Sequence, residues 1–161
     1  MAEVLIRQAE TRDREAMISL MGALHDSEAA LESNRAKGED SAESHLTHVL
    51  GEMERLGGDC LVAEVEGQVE GFLVYTVEED PGTFVKPAMR RHGLLWDISV
   101  SPSMRGRGLG RQLVDAAETA LKAQGVIEMR LYVLAANKRA QALYRELGYG
   151  DYELFMAKRF K

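Results

Sequence analysis

Three arginines and three glycines crowd one short stretch, Arg105, Gly106, Arg107, Gly108, Leu109, Gly110 and Arg111. Glycines leave backbone N–H groups free to face a ligand, a helix end adds about half a positive charge, and the arginines add whole ones. An apolar run ahead of the turn, residues 94–100, predicts a strand. Behind it Leu113, Val114, Ala117, Ala120 and Leu121 recur at helical spacing over residues 109–124. A strand, a glycine turn and a helix N-terminus in that order make an anion site, and phosphate is its natural guest. Two phosphate motifs do not fit. A P-loop needs Gly-Lys followed by Ser or Thr, which the turn lacks. A dinucleotide fingerprint needs Gly-x-Gly-x-x-Gly and an acid closing the next strand, whereas this turn reads Gly-x-Gly-x-Gly and Glu128 opens the next strand.

On the strand ahead of the turn, alternation puts Leu94, Trp96, Ile98 and Val100 on one face and Leu95, Asp97 and Ser99 on the other. A carboxylate and a hydroxyl sharing one face predict that this face lines a cleft; a structurally hydrogen-bonded Asp97 is the plainer alternative. His45 and His48 lie at i, i+3 on a predicted helix with no third ligand close in sequence, so they read as solvated surface side chains and no metal is expected. The single cysteine, Cys60, opens an apolar strand and reads as an inert buried thiol.

The elements that position these residues follow from periodicity and punctuation. Residues 4–9 predict a strand, and Ala16, Met17, Leu20, Met21 and Leu24 a first helix after Thr11 and Asp13. Residues 25–41 are polar and aperiodic and read as a long loop or a loose helical turn, of the kind that carries function. Leu46, Val49, Leu50, Met53 and Leu56 define a second helix ended by Gly57 and Gly58. Residues 60–65 and 69–77 read as a hairpin turning at Gly67. Residues 83–92, with Phe84, Lys86, Arg90, Arg91 and His92, read either as a lip over the site or as a plain connection. Beyond the glycine turn and its helix come a strand over 127–134 and a short helix capped by Asn137, with Ala140, Leu143, Tyr144 and Leu147 inward and Gly148 at its end. Residues 149–160 predict one or two closing strands.

With 161 residues, 45% of them hydrophobic, the chain suits one domain over residues 1–161 with a real core. The fold class is α/β in the α+β sense, a mixed central sheet with helices on both faces. A net charge of −6 argues against a nucleic-acid binder and fits a cationic small substrate. One cysteine fits a reducing compartment, and with neither a signal-peptide pattern nor an apolar run of membrane-spanning length the chain reads as cytoplasmic, with no membrane partner.

The segment Arg105-Gly106-Arg107-Gly108-Leu109-Gly110 resembles the Arg/Gln-x-x-Gly-x-Gly/Ala motif of the GNAT family of N-acetyltransferases. Asp97-Ile98-Ser99-Val100 and a Ser-Pro turn precede it at the customary distance. Asn137, Ala140, Leu143-Tyr144 and Leu147-Gly148-Tyr149 resemble the family's second signature, and the order of elements matches over nearly the whole chain. The resemblance implies an acetyl-CoA site and direct transfer to a primary amine of a small molecule or peptide. The backbone of Ile98, Ser99 and Val100 would pair with the pantetheine arm, and the amides of Arg105, Gly106, Arg107, Gly108, Leu109, Gly110 and Arg111 would wrap the pyrophosphate. Asn137 would reach the arm from the other side. Tyr144, beside the thioester sulfur, would be the acid, and Asp97 the base or amine holder, with His92 the second candidate for base. A homodimer is compatible with this reading. A non-catalytic acyl-CoA-binding module on the same fold is the alternative, in which Tyr144 and Asp97 would be dispensable.

Overall fold

The computed structural model describes residues 3–161. Its elements are β1 (Val4–Gln8), α1 (Arg14–Ala29), α2 (Gly38–Leu56), β2 (Gly58–Val65), β3 (Gln68–Glu79), β4 (Arg91–Val100), α3 (Leu109–Ala123), β5 (Met129–Leu131) and α4 (Lys138–Glu146). The five strands form one sheet in chain order, antiparallel except for the β4–β5 pair, which is parallel. The β2–β3 hairpin turns through Glu66 and Gly67, both at positive φ (51° and 79°), the backbone that a two-residue turn between twisted strands requires.

Each face of the sheet buries its own helices. On one face Leu73, Tyr75 and Leu95 pack with Leu109, Leu113, Val114, Ala117 and Leu121 of α3. On the other, Val62, Phe72 and Val74 pack with Met17, Leu20 and Met21 of α1 and Leu46 and Val49 of α2. Cys60 lies in this second layer with its Sγ 3.6 Å from the Met17 sulfur, and burial pushes its thiol pKa up to about 12. Such a thiol stays protonated near neutral pH and is a poor nucleophile.

Four expectations need correction. The expected loop over 25–41 is mostly helix: α1 runs on to Ala29 and α2 begins at Gly38, so His25 and Ser41 are helical. The polar residues there are helix-tolerant, and their lack of an apolar period reflects a face that is not packed against the core. At the start of α2, Gly38 lies against the backbone of Gly22, where a Cβ would come within 2.4 Å of the Gly22 carbonyl oxygen, so only glycine lets the two helices meet this closely.

The fifth strand is shorter than the apolar run 127–134. It spans only Met129–Leu131, and Ile127 and Val133 on either side are exposed. The closing strands expected over 149–160 do not form. Residues 149–161 have no regular structure, and Leu154, Phe155 and Met156 are exposed, because strand alternation specifies a strand only where a neighbouring edge accepts it.

The fourth correction concerns the faces of β4. Val74 of β3 pairs with Asp97 but the next residue, Tyr75, pairs with Leu95, so Trp96 is an extra residue on β4, a β-bulge. Period-two alternation breaks there. Leu95 joins Ile98 and Val100 in the α3 layer, whereas Trp96 packs into the α1–α2 layer on the side where Asp97 meets α2 and Ser99 meets α1.

Candidate active site

A slot opens beside β4. Its parallel pairing with β5 covers only Gly93, Leu94 and Leu95, although β4 runs on to Val100. From Trp96 to Val100 the edge of β4 toward β5 has no strand partner among the described residues. The pairing stops there because β5 itself ends at Leu131, the partner of Leu95. Buried backbone N–H and C=O groups are costly without partners, so an open edge inside a fold is a place for an extended ligand.

The glycine turn closes the lower end of that slot. Gly106 (φ 75°) and Gly108 (φ 83°) take the left-handed conformation, and a Cβ at either would meet nothing within 4 Å. These glycines therefore serve backbone conformation and an open surface, not close packing. Gly108 caps α3 with no side-chain hydrogen bond, and none of the amides from Gly106 to Arg111 has an acceptor among the described residues. Arg105 donates from Nε to the Val100 carbonyl at 3.2 Å, tying the turn to the end of β4. Arg111 lies 3.6 Å from Glu146, half exposed, and Arg105 and Arg107 have no carboxylate partner among the described residues. Free amides, a helix N-terminus and unpaired guanidiniums together suit a pyrophosphate.

On the α1–α2 side of β4 three side chains from three elements converge. His45 of α2 lies with Nε2 3.0 Å from Asp97 Oδ2. The hydrogen bond to the Asp97 carboxylate raises the His45 pKa above the ordinary 6.5, against the opposing effect of burial. The His25 ring of α1 lies tilted against that of His45, with centroids 5.0 Å apart, and makes a 2.7 Å hydrogen bond through Nδ1 to Ser41 Oγ. Burial and the neighbouring His45 lower its pKa. Glu28, one turn on from His25, is half-buried, and its carboxyl pKa is raised chiefly by that burial and also by Asp97. Behind them the Trp96 indole N–H donates to Thr76 Oγ1 at 2.9 Å, and the Ser99 hydroxyl donates to the Leu20 carbonyl at 2.8 Å, which fixes β4 against α1.

Tyr144 of α4 is 8% exposed. Burial raises its phenol pKa to about 12, with the negative charges of Asp97 and Glu28 contributing, and its hydroxyl makes no hydrogen bond among the described residues. Its ring packs edge-on against Tyr149 at 5.9 Å, and the Tyr149 hydroxyl donates to Glu118 at 2.9 Å. Asn137 caps α4 as expected, its Oδ1 accepting the Ala140 N–H at 3.1 Å.

Two histidine readings change. His45 is not a free surface residue but the partner of Asp97, and only His48, its i+3 neighbour, is exposed. The available signal was that His45 continues the buried stripe of Ala42, Leu46 and Val49. His92, the second candidate for the base, is buried at the far end of β4, its Nδ1 2.9 Å from the Arg90 carbonyl and 3.8 Å from Asp80. Asp80 is in turn held by Arg130 through two hydrogen bonds of 2.9 and 2.8 Å. That structural network stands apart from the His25, His45 and Asp97 group. The segment before it, residues 83–90, is a surface connection with Phe84 89% exposed.

A mixed sheet split beside an anion-binding turn, with a His–Asp pair across the strand, makes an extended slot that ends in an anion site. Comparison with known proteins gives the family. The model of the Acetyltransferase (GNAT) family matches residues 23–149, and the chain belongs to that family. A thialysine N-epsilon-acetyltransferase from Bos taurus is 32% identical over 129 residues, 66% of this chain and 75% of that protein. A mycothiol acetyltransferase from Beutenbergia cavernae is 35% identical over 97 residues, 56% of this chain, which spans only 33% of that relative's length. Among solved structures, a mutant of the BH1408 protein from Bacillus halodurans superposes with a TM-score of 0.83 at 23% identity, over 98% of this chain and 99% of that one. An aminoglycoside N-acetyltransferase in complex with a CoA bisubstrate analogue superposes with a TM-score of 0.70 at 20% identity, over 99% of both chains. At these identities the structural likeness establishes the fold.

Proposed function

We propose that the protein is an N-acetyltransferase that moves the acetyl group of acetyl-CoA directly to a primary amine of a small molecule or peptide. The observation that carries this reading is the open edge of β4 from Trp96 to Val100, running from the His45–Asp97 pair at one end to the free amides of Gly106 to Arg111 at the other. Family membership supports it, as do relatives named for acetylating thialysine and mycothiol. The residues fit the cofactor: backbone groups of Ile98, Ser99 and Val100 hold the pantetheine arm, and the turn from Arg105 to Arg111 holds the pyrophosphate.

In this reading the reactive thioester is supplied by acetyl-CoA, and the chain supplies position and proton traffic. The acceptor amine attacks the thioester carbonyl carbon, forming the C–N bond, and the C–S bond then breaks. His45, held by Asp97, takes the proton the amine loses; Asp97 also keeps that proton-bearing ring in place. Tyr144 gives its proton to the departing CoA thiolate; its phenol, with pKa raised to about 12, is protonated at neutral pH. Glu28 and Asp97 make the acceptor side suit a cationic amine. Release of free CoA thiol in the presence of an amine panel of polyamines, amino acids, aminoglycosides and peptides tests the reading. Amine-dependent release with acetylated product is the expected result. Binding of CoA with no turnover on any amine would contradict it and favour a non-catalytic acyl-CoA-binding module.

A further inference from the structure

We propose that His25, His45 and Asp97 form a binding site for a divalent transition-metal ion of the zinc class, and that filling it shuts off the acceptor side of the active site. The binding claim stands on geometry alone; the shut-off rests on the acetyltransferase reading above.

One ligand atom from each of the three residues lies within 4.8 Å of the other two. They come from α1, α2 and β4, so the fold and not local spacing assembles them. Two imidazoles and one carboxylate are a donor set that suits Zn2+, which holds such ligands at about 2.0–2.2 Å and keeps a fourth position for water. The 3.0 Å separation of His45 Nε2 and Asp97 Oδ2 is already close to the spacing of neighbouring ligands on one tetrahedral ion, so a small movement of His25 completes the set.

His25 is also set in the form that binds metal. The Ser41 hydroxyl has one proton, and it donates it to the Lys37 carbonyl at 2.7 Å. Ser41 Oγ must therefore accept its 2.7 Å bond from the His25 Nδ1–H, which leaves the lone pair on Nε2. A hydrogen bond from the second ring nitrogen is the device by which ligating histidines are usually oriented. Glu28 adds a half-buried carboxyl that faces the group electrostatically. His48, though next on α2, is exposed, its ring centroid 6.5 Å from that of His45, and has no part in the set. An ion held through His45 Nε2 would shift the ring proton to Nδ1 and leave no lone pair to accept the amine proton, so metal binding and acetyl transfer would exclude each other.

Titration of the purified chain with Co2+ reads the site directly. The expected result is one equivalent bound, with the intense visible absorption of a tetrahedral ion, displaced by Zn2+. His25→Ala and Asp97→Asn should each weaken binding by roughly tenfold or more, while His48→Ala should leave it unchanged; His25→Gln serves if the alanine variant melts early. In turnover assays Zn2+ should inhibit in competition with the amine and not with acetyl-CoA, with reversal by EDTA. Failure to saturate, or equal affinity in the His25 variants, would overturn the site. Saturable binding without inhibition of an active enzyme would overturn the shut-off. Metal binding by a chain that turns over no amine would count against the acetyltransferase reading and leave the site standing.

Discussion

Tyr144→Phe is expected to lower kcat about a hundredfold while leaving acetyl-CoA affinity nearly unchanged, the usual loss when a positioned general acid is removed. The substitution deletes one oxygen from a side chain that is 8% exposed, and that hydroxyl makes no hydrogen bond among the described residues, so packing against Tyr149 survives and no buried partner is orphaned. The thiolate of CoA would then leave without a proton donor. Steady-state kinetics together with isothermal binding of acetyl-CoA separate the two quantities. Unchanged kcat would remove Tyr144 from the acid role, and a parallel loss of affinity would make it a packing residue of the cofactor slot.

The second large effect falls on the base. Because the Asp97 carboxylate raises the His45 pKa above 6.5, the neutral ring that can accept a proton appears only as pH rises through that raised value. The acid limb of kcat/KM should accordingly lie above 6.5 in the native protein. His45→Gln should abolish the limb and lower kcat/KM by roughly a hundredfold. Asp97→Asn removes the raising interaction, so the limb should move to lower pH while the limiting rate falls. A limb that stays in place in both variants would assign it to another group and take the His45–Asp97 pair out of proton transfer.

What the sequence reveals about this molecule divides along the reach of the interactions. The glycine turn, the start of α3 and the Asn137 cap depend on neighbours a few residues away, and their residue types state them directly. The two-layer core is similarly visible, because α2 and α3 carry apolar stripes at helical period and the hairpin strands carry apolar runs over residues 60–63 and 72–75. The bulge at Trp96 is different. Nothing in Leu95-Trp96-Asp97 marks an extra residue, yet it reverses the face assigned to Trp96 and brings the indole to the same side as Asp97. The partnership of Asp97 with His45 spans 52 residues of chain and that of His25 with Ser41 crosses two helices, so neither appears in any local spacing. Each histidine does, however, sit where an apolar stripe would continue, His25 four residues after Met21 and His45 three after Ala42. A polar ring on a core-facing stripe is the signal that helix periodicity offers for a group working at the edge of the core. The tail shows the converse, since Tyr152, Leu154 and Met156 alternate as a strand would but find no edge to pair with.

If one substrate lies along β4 with its phosphates in the glycine turn, backbone hydrogen exchange with and without saturating acetyl-CoA will register it. Exchange should slow in two separate stretches, the amides from Trp96 to Val100 that face β5 and those from Gly106 to Arg111, while the hairpin of β2 and β3 is unaffected. Unaltered exchange in both stretches at saturation, or protection confined to some other surface, would contradict it.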